Sequence, residues 1–334
     1  MRRSRAAASA LFAVAMVVGV STSSSHAAEL PNRGEDVDGS VIVAVGDLVP
    51  HPAISSSARA RAVKALADRH NPDAYFLLGD LQYETGTLAH YRSVYDPIWG
   101  DVKEDTYPAI GNHEYGGGSN SGWAATGGGY FDYYGSRARP AAATYYWFNV
   151  NLPDGGQWLV VVLNSACGDY DQPPAWYTPL CTTDSAQAEW LRGVLDANQH
   201  VRCTMALFHE PLYSSKAPYS GKPAMRTLWD IMDNQGAARG VDLVLNGHNH
   251  AYERLQPMTY NGTIDAARGI HSTIVGTGGR DLIRFSGTPH PARAAADDKH
   301  DGFLKLVLRA DGWTQSFKRT DGTSYDTRRM TCNQ

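Results

Sequence analysis

The sequence predicts an α/β fold, a sheet of buried strands covered by helices, and three observations predict it. Short apolar runs rich in branched residues alternate with stretches whose apolar residues recur at helical spacing. Within the runs successive residues are apolar, as in strands buried on both faces. Several runs end in a Gly-containing turn that carries Asp, Asn or His, which puts polar chemistry at the carboxyl ends of the strands, where open α/β sheets bind ligands.

Residues 1–28 stand apart from that pattern. Met1 to Arg5 is basic, Ala6 to Val20 is apolar or small without a charge, and the Ser/Ala-rich stretch up to Ala28 offers small residues for cleavage. The apolar run is short for a membrane span, so the segment reads as the signal peptide of a secreted protein with no stable membrane anchor. Arg2 and Arg3 hint at twin-arginine export, but their surroundings match that signal poorly and the route stays open. Residues 29–334 are enough to bury a sizeable core and read as a single catalytic domain.

Strands are expected at Val41 to Val45, Ala74 to Leu78, Trp158 to Leu163, Thr204 to Phe208 and Val241 to Leu245. Helices are expected at Ala58 to Arg69, Ala186 to Ala197 and Ala224 to Asp233, the second carrying Trp190, Leu191, Val194 and Leu195 on one face. Phe303 to Leu308 and Trp313 to Lys318, joined through Ala310-Asp311-Gly312, read as an antiparallel hairpin. Two long loops, Glu114 to Gly129 and Gly168 to Thr183, interrupt the alternation and are candidates for the rim of a cleft.

Cys167, Cys181, Cys203 and Cys332 are an even number in a chain expected to enter an oxidising compartment, so two disulfides are expected. Three pairings are open; Cys167 with Cys181 would close a Pro-rich loop and leave Cys203 to tie down Cys332. No two cysteines have the close spacing of zinc-thiolate motifs. A formal net charge of -4 gives no global field for a nucleic-acid backbone or an anionic membrane, and nothing speaks to oligomeric state.

The chemistry sits at five run ends. Asp47 ends Val-Ala-Val-Gly-Asp, Asp80 ends Phe-Leu-Leu-Gly-Asp, and Asn112 and His113 follow Pro-Ala-Ile-Gly. His209 ends Met-Ala-Leu-Phe-His, and His248 and His250 end Val-Leu-Asn-Gly-His-Asn-His. Carboxylate, amide oxygen and imidazole together suit borderline ions such as Zn, Mn and Fe. A carboxylate bridging two such ions is the simplest use of so many ligands.

These motifs resemble the calcineurin-like metallophosphoesterases, and specifically the purple acid phosphatase branch, over about Val41 to Gly279. The resemblance implies a four-layer αββα sandwich with a dinuclear site at the strands' carboxyl ends. It implies Asp47, Tyr83 and His250 on one ion, Asn112, His209 and His248 on the other, and Asp80 bridging. Much of the superfamily has a histidine two residues after the first Asp, where this chain has Val49; the purple acid phosphatases use a tyrosine three after the bridging Asp, here Tyr83, whose tyrosinate favours Fe(III), paired with Zn, Mn or Fe(II). His51 is the substitute ligand should Tyr83 not serve. The chain departs from the branch in lacking the plant enzymes' amino-terminal β-sandwich and their substrate-facing histidines, whose region holds Lys216, Pro218, Tyr219 and Lys222; Tyr219 is a candidate substrate contact.

Two cations held together clamp a phosphate and lower the pKa of a bound water, so the expected activity is hydrolysis of a small-molecule phosphate monoester by in-line attack. His113 is the candidate general acid or phosphate contact, and Glu114 or Asp242 could orient ligands, with nothing to select between them. The alternative is a phosphodiesterase or nucleotidase acting on nucleotides or phospholipid headgroups. A binding protein without turnover has no use for a retained acid at His113, and a glycoside hydrolase leaves the histidines unexplained.

Overall fold

Alternation along one strand builds two cores at once. In β2 (Ser40–Val45), Ile42 and Ala44 point into one cluster and Val43 and Val45 into another, all without solvent exposure. The first cluster lies between two sheets, because it also takes Phe148, Val160, Met205, Leu207 and Leu245 from strands of the second sheet. The other faces covering helices. The structure, a computed structural model, describes residues 26–28, 39–52, 56–116, 127–140, 143–167, 180–215, 221–233 and 240–333.

The smaller sheet has the order β14-β13-β12-β2-β3-β4, comprising β3 (Ala74–Leu78), β4 (Thr106–Ala109), β12 (Gly302–Arg309), β13 (Gly312–Arg319), β14 (Ser324–Thr331) and β2. The larger has the order β1-β5-β6-β7-β8-β10-β9-β11. Its strands are β1 (His26–Ala28), β5 (Tyr146–Asn151), β6 (Gln157–Val162), β7 (Cys203–Leu207), β8 (Leu243–Asn246), β9 (Tyr252–Met258), β10 (Ile270–Val275) and β11 (Arg293–Asp297). β2, β3 and β4 pair in parallel, and so do β6, β7 and β8, which brings their carboxyl ends to one edge of each sheet.

The helix Ala58–Asp68 buries Ala60, Val63 and Ala67 against the smaller sheet. On the far side, Ala186–Ala197 buries Leu191, Val194 and Leu195, and Arg226–Asp233 buries Leu228, Trp229 and Met232, against the larger sheet. Helix, sheet, sheet and helix make the four-layer αββα sandwich expected from the resemblance. Burying one large apolar side chain of these layers stabilises by roughly 1.5–3 kcal/mol. Ser185 starts the helix Ala186–Ala197 by accepting the Ala188 N–H at 3.2 Å, a side-chain cap for a free donor. The last expected helix begins two residues late, at Arg226, because Pro223 opens a 3₁₀ turn over Pro223–Met225 instead.

The expected strands and hairpin appear within two residues of their predicted bounds. β1, which falls within the expected signal peptide, and β5, β9, β10, β11 and β14 are strands the sequence reading does not anticipate. β9 carries Glu253, Arg254 and Pro257, and β14 is an edge strand whose side chains are largely exposed, so neither has an apolar signature. Cys167 is joined to Cys181 and Cys203 to Cys332. Residues 1–25 of the expected signal peptide, Tyr219, and most of both long loops lie outside the described residues. Among the described residues no helix is long and apolar enough to cross a membrane.

Candidate metal centre

Three of the expected ligands stand in strained backbone. Asp47, Asp80 and His248 have φ of 61°, 52° and 71°, a left-handed conformation that costs a non-glycine residue about 1–2 kcal/mol. The tight turns leave no room for a side chain at the residue before. A Cβ on Gly79 would meet the His209 ring at 2.7 Å, and one on Gly111 would meet Asp80 Oδ1 at 2.2 Å. The glycine–ligand pairs read from the sequence are therefore steric requirements of the cluster.

The side chains converge in two groups that share one atom. Tyr83 Oη lies 2.7 Å from Asp47 Oδ1 and 3.2 Å from His250 Nε2, and His250 Nε2 is 3.3 Å from Asp47 Oδ1. In the second group, Asn112 Oδ1 lies 3.1 Å from both His209 Nε2 and His248 Nδ1. Asp80 Oδ2 touches both, 3.0 Å from Tyr83 Oη and 3.1 Å from His209 Nε2. That is the placement a bridging carboxylate needs.

The imidazoles are aimed by their other nitrogens. His209 Nδ1 lies 2.8 Å from the Leu78 carbonyl oxygen, and His250 Nδ1 lies 2.8 Å from that of Asp281. A carbonyl can only accept, so Nδ1 carries a proton in both rings and Nε2 is the nitrogen turned to the cluster, where it could ligate an ion once deprotonated. Glu114 does not enter the cluster. Its buried carboxylate accepts the backbone N–H groups of Asp80 (2.9 Å), Leu81 (2.9 Å) and Gly111 (2.8 Å) and the Tyr91 hydroxyl (3.0 Å). It thereby ties the Asp80 turn to the Asn112 turn. Asp242 accepts from Thr204 N (2.7 Å) and Asn333 N (2.6 Å) at the amino end of β8, opposite the site, which separates the two candidates.

The electrostatics are those of a cation cage. Burial raises the pKa of Asp80, but His209 and His113 outweigh it and hold the carboxyl well below its ordinary range. Burial likewise opposes the charged form of His209, yet the Asp80 carboxylate lifts it to about 10. Burial and then Asp47 and Asp80 push the Tyr83 phenol well above its usual value, while burial and His209 lower His248 to about 3. Carboxylate, amide, phenol and imidazole atoms, without thiolate, are a donor set for borderline metal ions, and Asp80, His209 and His248 each offer an atom within 4.8 Å of the others. The residues fit a pair of metal ions.

His113 flanks the cluster. Its backbone N–H donates to Asp80 Oδ1 at 2.8 Å, its ring centroid is 4.3 Å from that of Tyr83, and Nε2 is 4.0 Å from Asp80 Oδ2. The side chain is 22% exposed, whereas that of His209 is fully buried, so His113 lies at the mouth. His51 instead packs on His90, with ring centroids 4.5 Å apart. One segment escaped the sequence reading: Gly278 to Ile283, after β10. Gly278 N donates to the Gly46 carbonyl (3.0 Å), Arg280 N to that of Asp47 (3.0 Å) and Ile283 N to that of His250 (3.0 Å). The signal was present in Thr277-Gly278-Gly279-Arg280-Asp281, a Gly turn after a strand like those before Asp47, Asp80, Asn112 and His248.

A two-sheet α/β sandwich with oxygen and imidazole donors gathered at its strand ends defines a metal-dependent hydrolase of phosphate esters. The chain belongs to the calcineurin-like phosphoesterase family, whose profile matches residues 40–252, more than half of its length. Membership implies two metal ions. A nucleotide pyrophosphatase/phosphodiesterase from Hordeum vulgare is 25% identical over 79% of this chain and 73% of its own length. Purple acid phosphatase 18 from Arabidopsis thaliana is 34% identical over 32% of this chain and 24% of its own. Among solved structures, a purple acid phosphatase from yellow lupin (Lupinus luteus) seeds superposes with a TM-score of 0.62 at 21% identity, over 89% of this chain and 55% of that enzyme. A dimetal phosphatase from Danio rerio gives 0.56 at 12% identity, over 89% and 100%. The chain thus spans about half of the lupin enzyme, and the fold it shares is that of the purple acid phosphatase-like phosphoesterases.

Proposed function

We propose that this protein is a secreted phosphatase that hydrolyses small-molecule phosphate monoesters at a dinuclear centre. One ion would be held by Asp47, Tyr83 and His250 and the other by Asn112, His209 and His248, with Asp80 between them. The observation that carries the reading is the single oxygen, Asp80 Oδ2, in reach of both groups, with the partly exposed His113 beside it. When bound, the ion pair supplies a clamp for the phosphoryl group and acidifies water for attack on phosphorus.

The chain's own residues do the rest. The Glu84 carbonyl, 2.6 Å from His113 Nδ1, fixes that nitrogen as a donor and leaves Nε2 to deliver a proton to the leaving alkoxide. Glu114 holds the turns of Asp80 and Asn112 in register. The Tyr83 hydroxyl, which donates to Asp47 and Asp80, would have to give up its proton to bind an ion, and a phenolate ligand of that kind would favour Fe(III) at the first position, with Zn, Mn or Fe(II) at the second. Secretion is supported by two disulfides that account for all four cysteines.

A second reading, hydrolysis of nucleotide diesters or pyrophosphates, is favoured by the Hordeum vulgare nucleotide pyrophosphatase/phosphodiesterase, which aligns over most of this chain. The test is a panel of monoesters, diesters and nucleotides with metal-reconstituted protein. Higher kcat/KM on monoesters supports the proposal; a diester or pyrophosphate preference overturns it for the second reading.

A further inference from the structure

Tyr83 has no solvent exposure, and it is covered by partly exposed polar side chains. His113 lies with its ring centroid 4.3 Å from that of Tyr83, and the Arg280 guanidinium lies 5.1 Å from the same ring. Glu84 connects them: Arg280 Nη2 is 3.0 Å from Glu84 Oε1, and the Glu84 carbonyl holds His113 Nδ1. Arg280 and Glu84 remain 20% and 29% exposed, so the pair faces the mouth above the first donor group. Nor is Arg280 a free-swinging surface residue. Its own N–H is bonded to the Asp47 carbonyl, and the carbonyl of the next residue, Asp281, aims His250.

A guanidinium carries five N–H donors in a planar fork that matches phosphate, and the Glu84 contact engages Nη2. We propose that Arg280 is a substrate-binding residue whose guanidinium hydrogen-bonds a phosphoryl oxygen of the bound ester or of the phosphate product, in competition with Glu84. The inference rests on the phosphoesterase reading of the centre. Glu84 then sets how tightly the phosphoryl group is held. It occupies the arginine in the free protein and sits as a like charge beside the incoming anion. This gives the two partners of one ion pair opposite effects on anion affinity, which a purely structural salt bridge cannot do.

The experiment is calorimetric titration of inorganic phosphate into metal-reconstituted protein, with metal content measured in parallel, for wild type, Arg280→Gln, Arg280→Lys and Glu84→Gln. Arg280→Gln is expected to weaken phosphate binding roughly tenfold or more, the worth of a hydrogen bond to a charged group, and Arg280→Lys to retain part of it. Glu84→Gln is expected to tighten binding. If both pair partners weaken it alike, or neither changes it, the pair is a structural staple and the proposal is overturned. Should Arg280→Gln shed metal, Glu84→Gln alone decides, tightening for the proposal and loosening against it. Wild-type protein that neither binds phosphate nor hydrolyses esters overturns the phosphoesterase reading itself, and the inference with it; hydrolysis without the opposite shifts overturns the inference alone.

Discussion

The backbone N–H of Asp80 donates to Glu114 Oε2 at 2.9 Å, and the same carboxylate takes the N–H of Gly111 at 2.8 Å. Two turns that follow different strands are thus held by one buried acid whose pKa burial and Asp80 push up. Glu114→Ala would leave these buried donors unpaired. Denaturant unfolding is expected to show a loss of roughly 3 kcal/mol or more, built from about 1–3 kcal/mol per unsatisfied group. Metal content is expected to fall as well. An unchanged midpoint would mean that the turns hold without the clamp.

Tyr83 is the residue on which the iron assignment depends. Tyr83→Phe removes the oxygen 2.7 Å from Asp47 and 3.0 Å from Asp80 without changing the ring's packing. Iron-loaded wild type should absorb visible light through phenolate-to-iron charge transfer, and the variant should not. Equal spectra would remove Tyr83 from the ligand set.

His113→Ala should separate catalysis from metal binding. A positioned acid contributes about 10²–10⁴-fold, so kcat on an ester with a poor leaving group is expected to drop by about that factor. Metal content should stay near that of wild type, because Nε2 lies 4.0 Å from Asp80 Oδ2, farther than the 2.7–3.3 Å at which the expected ligand atoms meet, and the side chain is partly exposed. Substantial metal loss would recast His113 as a structural residue.

Away from the centre, Asp326 gives a pH prediction. Burial raises its pKa, but the hydrogen bonds and charge of Arg254, at 2.6 and 2.8 Å, outweigh this and lower it. A depressed folded-state value adds stability above the unfolded carboxyl value of about 3.9 and loses it as pH falls toward the folded one. Asp326→Asn should therefore lower stability at neutral pH and flatten its decline below about pH 4. Parallel acid limbs in thermal melts would show that the pair contributes nothing.

Much of the centre was legible because each of Asp47, Asp80, Asn112, His209, His248 and His250 follows an apolar run, and a run's end fixes a position in space. The structure brings these six together with Tyr83. Asp242 could have been set aside on the same logic, since it precedes Leu243–Asn246 and so lies at the wrong end of the strand. The Gly turn after Ile274-Val275 marks the segment of Arg280 but not the use of its side chain, which comes from an ion pair with Glu84, nearly two hundred residues away in sequence. β14 was missed for a related reason. An edge strand meets solvent with most of its side chains, and its order comes from backbone pairing with β13.

The disulfide between Cys203 and Cys332 has a mechanical meaning. Cys203 opens β7 in the larger sheet and Cys332 follows β14 in the smaller, so the bond rivets the two layers at the end remote from His209, which follows the other end of β7. The layers are stitched at the site end as well, where Gly46 N donates to the Val275 carbonyl at 2.9 Å and Gly278 N to the Gly46 carbonyl at 3.0 Å. A covalent fastening at the back and backbone bonds at the front thus hold the two sheets in one register, so the ligand turns that come from both sheets keep a fixed spacing.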